Sequence, residues 1–114
     1  MFPSGQWDGF WVQEGWGRQA MTPFFLHFAE GRVEGKGKDI VGRFVFTGEY
    51  DTSTGQVRLV KQYLGRHRVL YVGQPDGEGS ILGKWYIGPH HEGPFMMRPM
   101  GLQAGEDEPI QEMG

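Results

Sequence analysis

Between Gly42 and Gly73 the chain alternates side-chain character with period two through three consecutive runs, broken only by two short turns. In the first run Gly42, Phe44, Phe46, Gly48 and Tyr50 share one face, and Val41, Arg43, Val45, Thr47 and Glu49 share the other. In the second, Val57, Leu59, Lys61 and Tyr63 oppose Arg58, Val60 and Gln62; in the third, His67, Val69, Tyr71 and Gly73 oppose Arg68, Leu70 and Val72. This period marks strands with two chemically different faces. Asp51-Thr52-Ser53-Thr54-Gly55 and Leu64-Gly65-Arg66 carry turn chemistry, so the stretch reads as a three-stranded antiparallel meander.

The same material continues on both sides. Met1 to Gln6 reads as a frayed lead-in, and Trp7 to Trp16 as a first strand. After a loop through Met21 to Pro23, Phe24 to Ala29 form a second strand, and Glu30-Gly31 is a two-residue hairpin signal. Arg32 to Gly37 form a short third strand, with Lys38-Asp39 as a connection. Beyond the turn at Pro75 to Gly79, Ile81 to Ile87 and Pro94 to Pro99 supply two more strands around a loop at Gly88 to Gly93. Parallel crossovers need a dozen or more residues, which these connections lack. The expectation is an all-β domain over residues 1–100, an antiparallel up-and-down barrel of about eight strands whose closure removes exposed edges. Glycine, 20 of 114 residues against a usual share of about 7%, suits such coiled strands. Residues 101–114 are acidic and aperiodic and read as a disordered tail.

Charge and composition narrow the function classes. Glu106, Asp107, Glu108 and Glu112 all lie in the tail, and taking them from the net charge of -3 leaves +1 over residues 1–100. A near-neutral sum offers no electrostatic argument for nucleic acid or a membrane as partner. With no cysteine there is no disulfide, thiolate nucleophile or cysteine-ligated zinc. The start lacks a secretory signal and no run approaches the ~20 apolar residues of a span, which points to a cytoplasmic protein. Adjacent His90, His91 and Glu92 have no second pair at ligand spacing, so neither a metal nor another cofactor is expected.

The face richest in rings and glycine is the expected interior: Trp11, Phe24, Leu26, Phe28, Phe44, Phe46, Tyr50, Val57, Leu59, Val69, Tyr71, Ile81, Trp85, Phe95 and Met97. Gly9-Phe10-Trp11, Gly42-Arg43-Phe44 and Gly83-Lys84-Trp85 share a glycine-x-aromatic step that leaves room for a neighbouring ring. The same face also carries groups that packing does not require: Gln13, Lys61, Tyr63, His67 and Tyr71. Lys61, Tyr63 and His67 fall at one turn and hence at one mouth. There Lys61 either reaches water or pairs with a carboxylate such as Glu49 or Asp51. Outside, Val45, Val60, Leu70, Val72, Leu82 and Met96 form an apolar set bordered by arginine and lysine, a candidate contact for a homo-oligomer such as a dimer or tetramer.

Gly9-Phe10-Trp11 resembles the G-x-W step that opens barrels of the calycin superfamily, and Phe44 to Asp51 is similar to an avidin and streptavidin strand of pattern aromatic-x-x-T-G-x-Y-D. The resemblance implies a streptavidin-like barrel with an apolar cavity at one mouth, commonly in a homo-oligomer. Avidins flank their ligand with tryptophan, a place Trp85 could take, but their polar biotin-binding set has no residue-by-residue counterpart here. The resulting expectation is a non-enzymatic barrel that binds a small, mostly apolar ligand through Trp11, Phe44, Tyr50, Lys61, Tyr63, His67, Tyr71 and Trp85. Two alternatives stand beside it. One is a solid-cored interaction module acting through its outer face; the other is a small enzyme using His67 with Tyr63 or Tyr71 for proton transfer.

Overall fold

The structure, a computed structural model, describes residues 2–100. The acidic tail expected at 101–114 lies outside the described residues. Eight strands run in sequence order: β1 (Gly5–Gln13), β2 (Gly17–Ala29), β3 (Arg32–Asp39), β4 (Arg43–Tyr50), β5 (Val57–Tyr63), β6 (Arg68–Pro75), β7 (Ile81–Ile87) and β8 (His91–Pro99). Each pairs antiparallel with the next, and β1 pairs with β8 to close the barrel. This is the up-and-down topology read from the alternation. There is no helix among the described residues, so none that could cross a membrane.

The turns form for local reasons. Glu30 and Gly31 both take positive φ, 53° and 82°, as a two-residue hairpin whose twist matches its strands requires. At the β4–β5 turn, Asp51 Oδ1 accepts from the Ser53 and Thr54 amides at 2.7 and 2.9 Å. Several boundaries differ from expectation; β8, for one, begins at His91, inside the loop read at Gly88 to Gly93. The β1–β2 ladder closes at Gln13↔Gly17, which moves Trp16 from a strand end to an exposed turn. β2 begins seven residues earlier than expected, because the Met21–Pro23 segment is a register shift within the strand and not a loop. Pro23 has no amide to give the ladder, and a bulge absorbs it. The connection read at Lys38-Asp39 is the end of β3, with Asp39 paired to Met21.

The two ends of the barrel are unlike. At one end the N-terminal segment plugs the interior. Phe2 is buried against Phe28 (ring centroids 5.3 Å), Trp7 (6.1 Å) and Tyr50 (6.5 Å). Trp7 Nε1 donates to the Pro3 carbonyl at 2.9 Å, and the Phe28 amide donates to Ser4 Oγ at 2.9 Å. The lead-in expected to fray is held by its ring and these bonds. Above the plug Phe24, Leu26, Phe44, Phe46, Leu59, Ile81, Phe95 and Met97 fill the middle of the barrel. The expected interior residues are buried, with Phe28 and Tyr50 partly so.

Glycine makes room for these rings by a different route from the one expected. Gly42 lies in the β3–β4 turn at φ +148°, with open space where a Cβ would stand. The room for Phe44 comes from its cross-strand partner Gly37, where an added Cβ would meet the Phe24 Cβ and come within 2.8 Å of Phe44 Cζ. Rings cannot retreat inside a closed barrel, so Gly37→Ala is expected to destabilise the protein by about 1–3 kcal/mol in urea unfolding.

Candidate functional site

At the other end, the turns β1–β2, β3–β4, β5–β6 and β7–β8 surround an open mouth. Beneath them lies a cavity of about 530 Å³. Trp11, Tyr63, Val69, Tyr71 and Trp85 form its walls and floor, with Val41 and Ile87 above. Trp16, Ile40, Arg66 and His67 reach it from the turns. The interior is therefore a packed column topped by a cup.

The side chains that floor the cup converge on one carboxylate. Asp39 Oδ2 accepts from Lys61 Nζ at 2.6 Å, Tyr63 Oη at 2.7 Å and Trp11 Nε1 at 3.1 Å. Its Oδ1 accepts from the Val41 amide at 3.0 Å, which ties the β3–β4 turn to the same group. The side chains of Lys61 and Asp39 are both 0% exposed. Lys61 Nζ also donates to Tyr71 Oη at 3.3 Å and approaches Met21 Sδ at 3.2 Å. Its charge lies 4.3 Å from the centre of the Phe44 ring and 4.7 Å from that of Tyr63. Four aromatic faces within about 6 Å take the place of water around the ammonium.

Burial and pairing oppose each other at these groups. Loss of water pulls the Lys61 pKa down to about 8 although Asp39 works to raise it. At Asp39 burial pushes the carboxyl upward, but the Lys61 charge and the bonds from Lys61, Tyr63 and Trp11 outweigh it and hold the group below the usual carboxylate value. Burial first, then Asp39, raises Tyr63 and Tyr71 above an ordinary phenol. Both tyrosines thus stay protonated, and Tyr63 remains a donor to Asp39.

The expected ligand residues separate into three groups. Trp11, Tyr63, His67, Tyr71 and Trp85 all line the cup. Phe44 and Lys61 lie beneath it, inside the packed column. Tyr50 is at the plugged end against Phe2 and Phe28, away from the mouth. Lys61 neither reaches water nor pairs with Glu49 or Asp51. Its partner is Asp39, because Glu49 points outward opposite Arg58 and Asp51 sits in the turn at the far end. Sequence reading missed Asp39, Met21 and Trp7. The signal for Asp39 was parity: Val33, Gly35, Gly37 and Asp39 are the inward positions of β3, two steps apart.

His67 is exposed, its ring 5.1 Å from that of Tyr63. Among the described residues its side chain has no hydrogen-bond partner that would orient it for proton transfer. Outside the barrel, the register forms one apolar rung from Val60, Leu70 and Tyr86 and another from Leu82, Met96 and Phe10. Val72 lies between Arg58 and Lys84, and Val45 between Lys36 and Gln62. Set against known proteins, the chain matches no protein-family model, no curated protein and no solved structure.

Two measurements follow from the buried pair. Removing one partner leaves a lone charge or an unmet carboxylate, so Lys61→Met and Asp39→Asn are each expected to cost about 3–5 kcal/mol, and the double variant distinctly less than their sum. The lowered Lys61 pKa means that the unfolded chain binds more protons above about pH 8. From about pH 8 to 9, before the phenols of the unfolded chain ionise and raised Tyr63 and Tyr71 pull the other way, this group makes stability rise with pH. Urea unfolding of the wild type carries that rising component, and the double variant loses it.

Proposed function

We propose that the protein binds a small, largely apolar and flat molecule in the open cup, without chemical turnover. The cup itself carries this reading. Its volume of about 530 Å³ falls within the roughly 300–1,000 Å³ typical of small-molecule sites, and its lining is mostly aromatic and aliphatic.

The walls are held before any ligand arrives. Trp11 and Tyr63 are anchored by Asp39, and Trp85 Nε1 donates to the Val12 carbonyl at 2.9 Å. The Trp85 ring lies against Gly93, where a Cβ would come within 2.7 Å of Nε1. Trp11 and Trp85 meet edge to face, centroids 6.4 Å apart and planes 80° apart, making a corner for a flat guest. Fixed rings lose little freedom on binding, which favours affinity. With its indole and phenol donors already engaged, the floor would take a guest mainly by apolar contact, and Gln13, Arg66 and His67 would meet any polar end near the mouth. The calycin-like G-x-W step agrees with this reading, since its tryptophan is the cup residue Trp11.

Native mass spectrometry of the purified protein reports any retained guest, and titration with an apolar fluorophore reports an emptied cup. Val69→Trp, which fills the floor, is expected to lower fluorophore affinity tenfold or more while the protein stays folded. Unchanged affinity in a folded Val69→Trp variant would sink the proposal.

A further inference from the structure

Charge is not spread evenly over the barrel. Around the mouth stand Lys38, Arg43, Arg66 and Arg68, all exposed, while the Arg18 guanidinium lies over the Phe10 ring at 3.9 Å on the outer wall. Of the exposed carboxylates only Glu14 and Glu92 oppose these cations at the mouth, and Glu92 is taken up by Lys84 at 3.2 Å; buried Asp39 is paired with Lys61. The plugged end reverses this balance: Glu30, Glu49, Asp51, Asp76 and Glu78 gather there against Arg32 and Arg58, while Arg98 is taken up by Asp8 at 3.0 Å. The +1 sum over residues 1–100 therefore hides a cationic pole at the mouth and an anionic pole at the plug.

The mouth also carries the most exposed apolar side chains of the described residues. Trp16 is 59% exposed in the β1–β2 turn, Ile40 70% in the β3–β4 turn and Leu64 56% in the β5–β6 turn. Three of the four turns around the cup thus end in a large apolar group with nothing covering it. The β2–β3, β4–β5 and β6–β7 turns at the plug carry Glu30, Asp51 and Asp76, with no large apolar tip. Exposed apolar groups within one cationic ring are unusual for a free surface. Tryptophan at the tip and arginine behind it match the layering of an anionic bilayer surface, where indoles settle at headgroup depth and arginines meet phosphate and carboxylate groups.

We propose that the mouth docks onto anionic lipid surfaces, seating Trp16, Ile40 and Leu64 in the headgroup region and holding them there by Arg43, Arg66 and Arg68. This orientation turns the anionic pole away from the membrane and opens the cup toward the lipid. It stands whether or not the cup carries a ligand.

The test is flotation of the full chain with phosphatidylcholine vesicles, with and without phosphatidylserine. Binding is expected with phosphatidylserine and should fall as salt rises. Trp16→Ser/Ile40→Ser/Leu64→Ser and Arg66→Glu/Arg68→Glu should each reduce binding roughly tenfold or more. Phe25→Ser and Leu82→Ser, exposed on the barrel wall, should leave it unchanged. The other three tryptophans are buried, so a blue shift on anionic vesicles that disappears in Trp16→Phe reports entry of that tip. The proposal is overturned by no flotation, by equal binding to neutral vesicles, or by loss in the wall variants. It is also overturned if the tip variants bind vesicles normally but convert a dimer to a monomer in light scattering, which would make a second copy the occupant of the mouth.

Discussion

Asp39 and Lys61 form an ion pair inside an aromatic barrel, and the layout of the open end depends on it. One carboxylate holds Lys61 from β5, Tyr63 from the end of β5, Trp11 from β1 and the Val41 amide of the β3–β4 turn. Strands remote in sequence are thus fixed to a single atom group beneath the cup. Burying such a pair is costly, and an all-apolar replacement of similar volume can match or exceed its stability. What an apolar replacement would not supply is direction. The bonds set the angle of the Trp11 indole and the Tyr63 phenol, and those two rings form much of the cup.

The pair also explains why the column stops where it does. Below Lys61 the rings pack against one another and against glycine, and Phe2 seals the far end. Above it the interior is occupied by donors already spoken for and by rings, Trp11 and Tyr63 bonded to Asp39 and Trp85 to the Val12 carbonyl, that cannot tilt inward without breaking a hydrogen bond. The result is a barrel with one solid end and one hollow end. Charge follows the same axis, with cations around the hollow end and carboxylates around the solid one.

Much of this was legible in the residues. Alternation in Gly42–Gly73 identified β4, β5 and β6, and it assigned Phe44, Phe46, Leu59, Val69 and Tyr71 to the interior. The cup residues Trp11, Tyr63, Tyr71 and Trp85 were reachable by the same parity. Asp39 was overlooked because it follows two glycines and precedes turn material, although its parity with Val33 was intact. Met21 was hidden by Pro23, since the bulge that absorbs a proline shifts the register and interrupts the period. Tyr50 shared a face with Phe44, but face says nothing about height along the barrel. Six residues of extended strand span about 20 Å, enough to carry a side chain from one mouth to the other.

The sequence alone therefore determined the strand count, the closed antiparallel topology and nearly all of the inward face, because period-two alternation and turn chemistry are local properties. Only the tertiary structure decided that Lys61 meets Asp39, that one end is plugged and the other hollow, and that a near-neutral body has two charged poles. Those features depend on the stagger between strands and on which turns share an end of the barrel. Closure sets both, by bringing together residues that no local pattern connects.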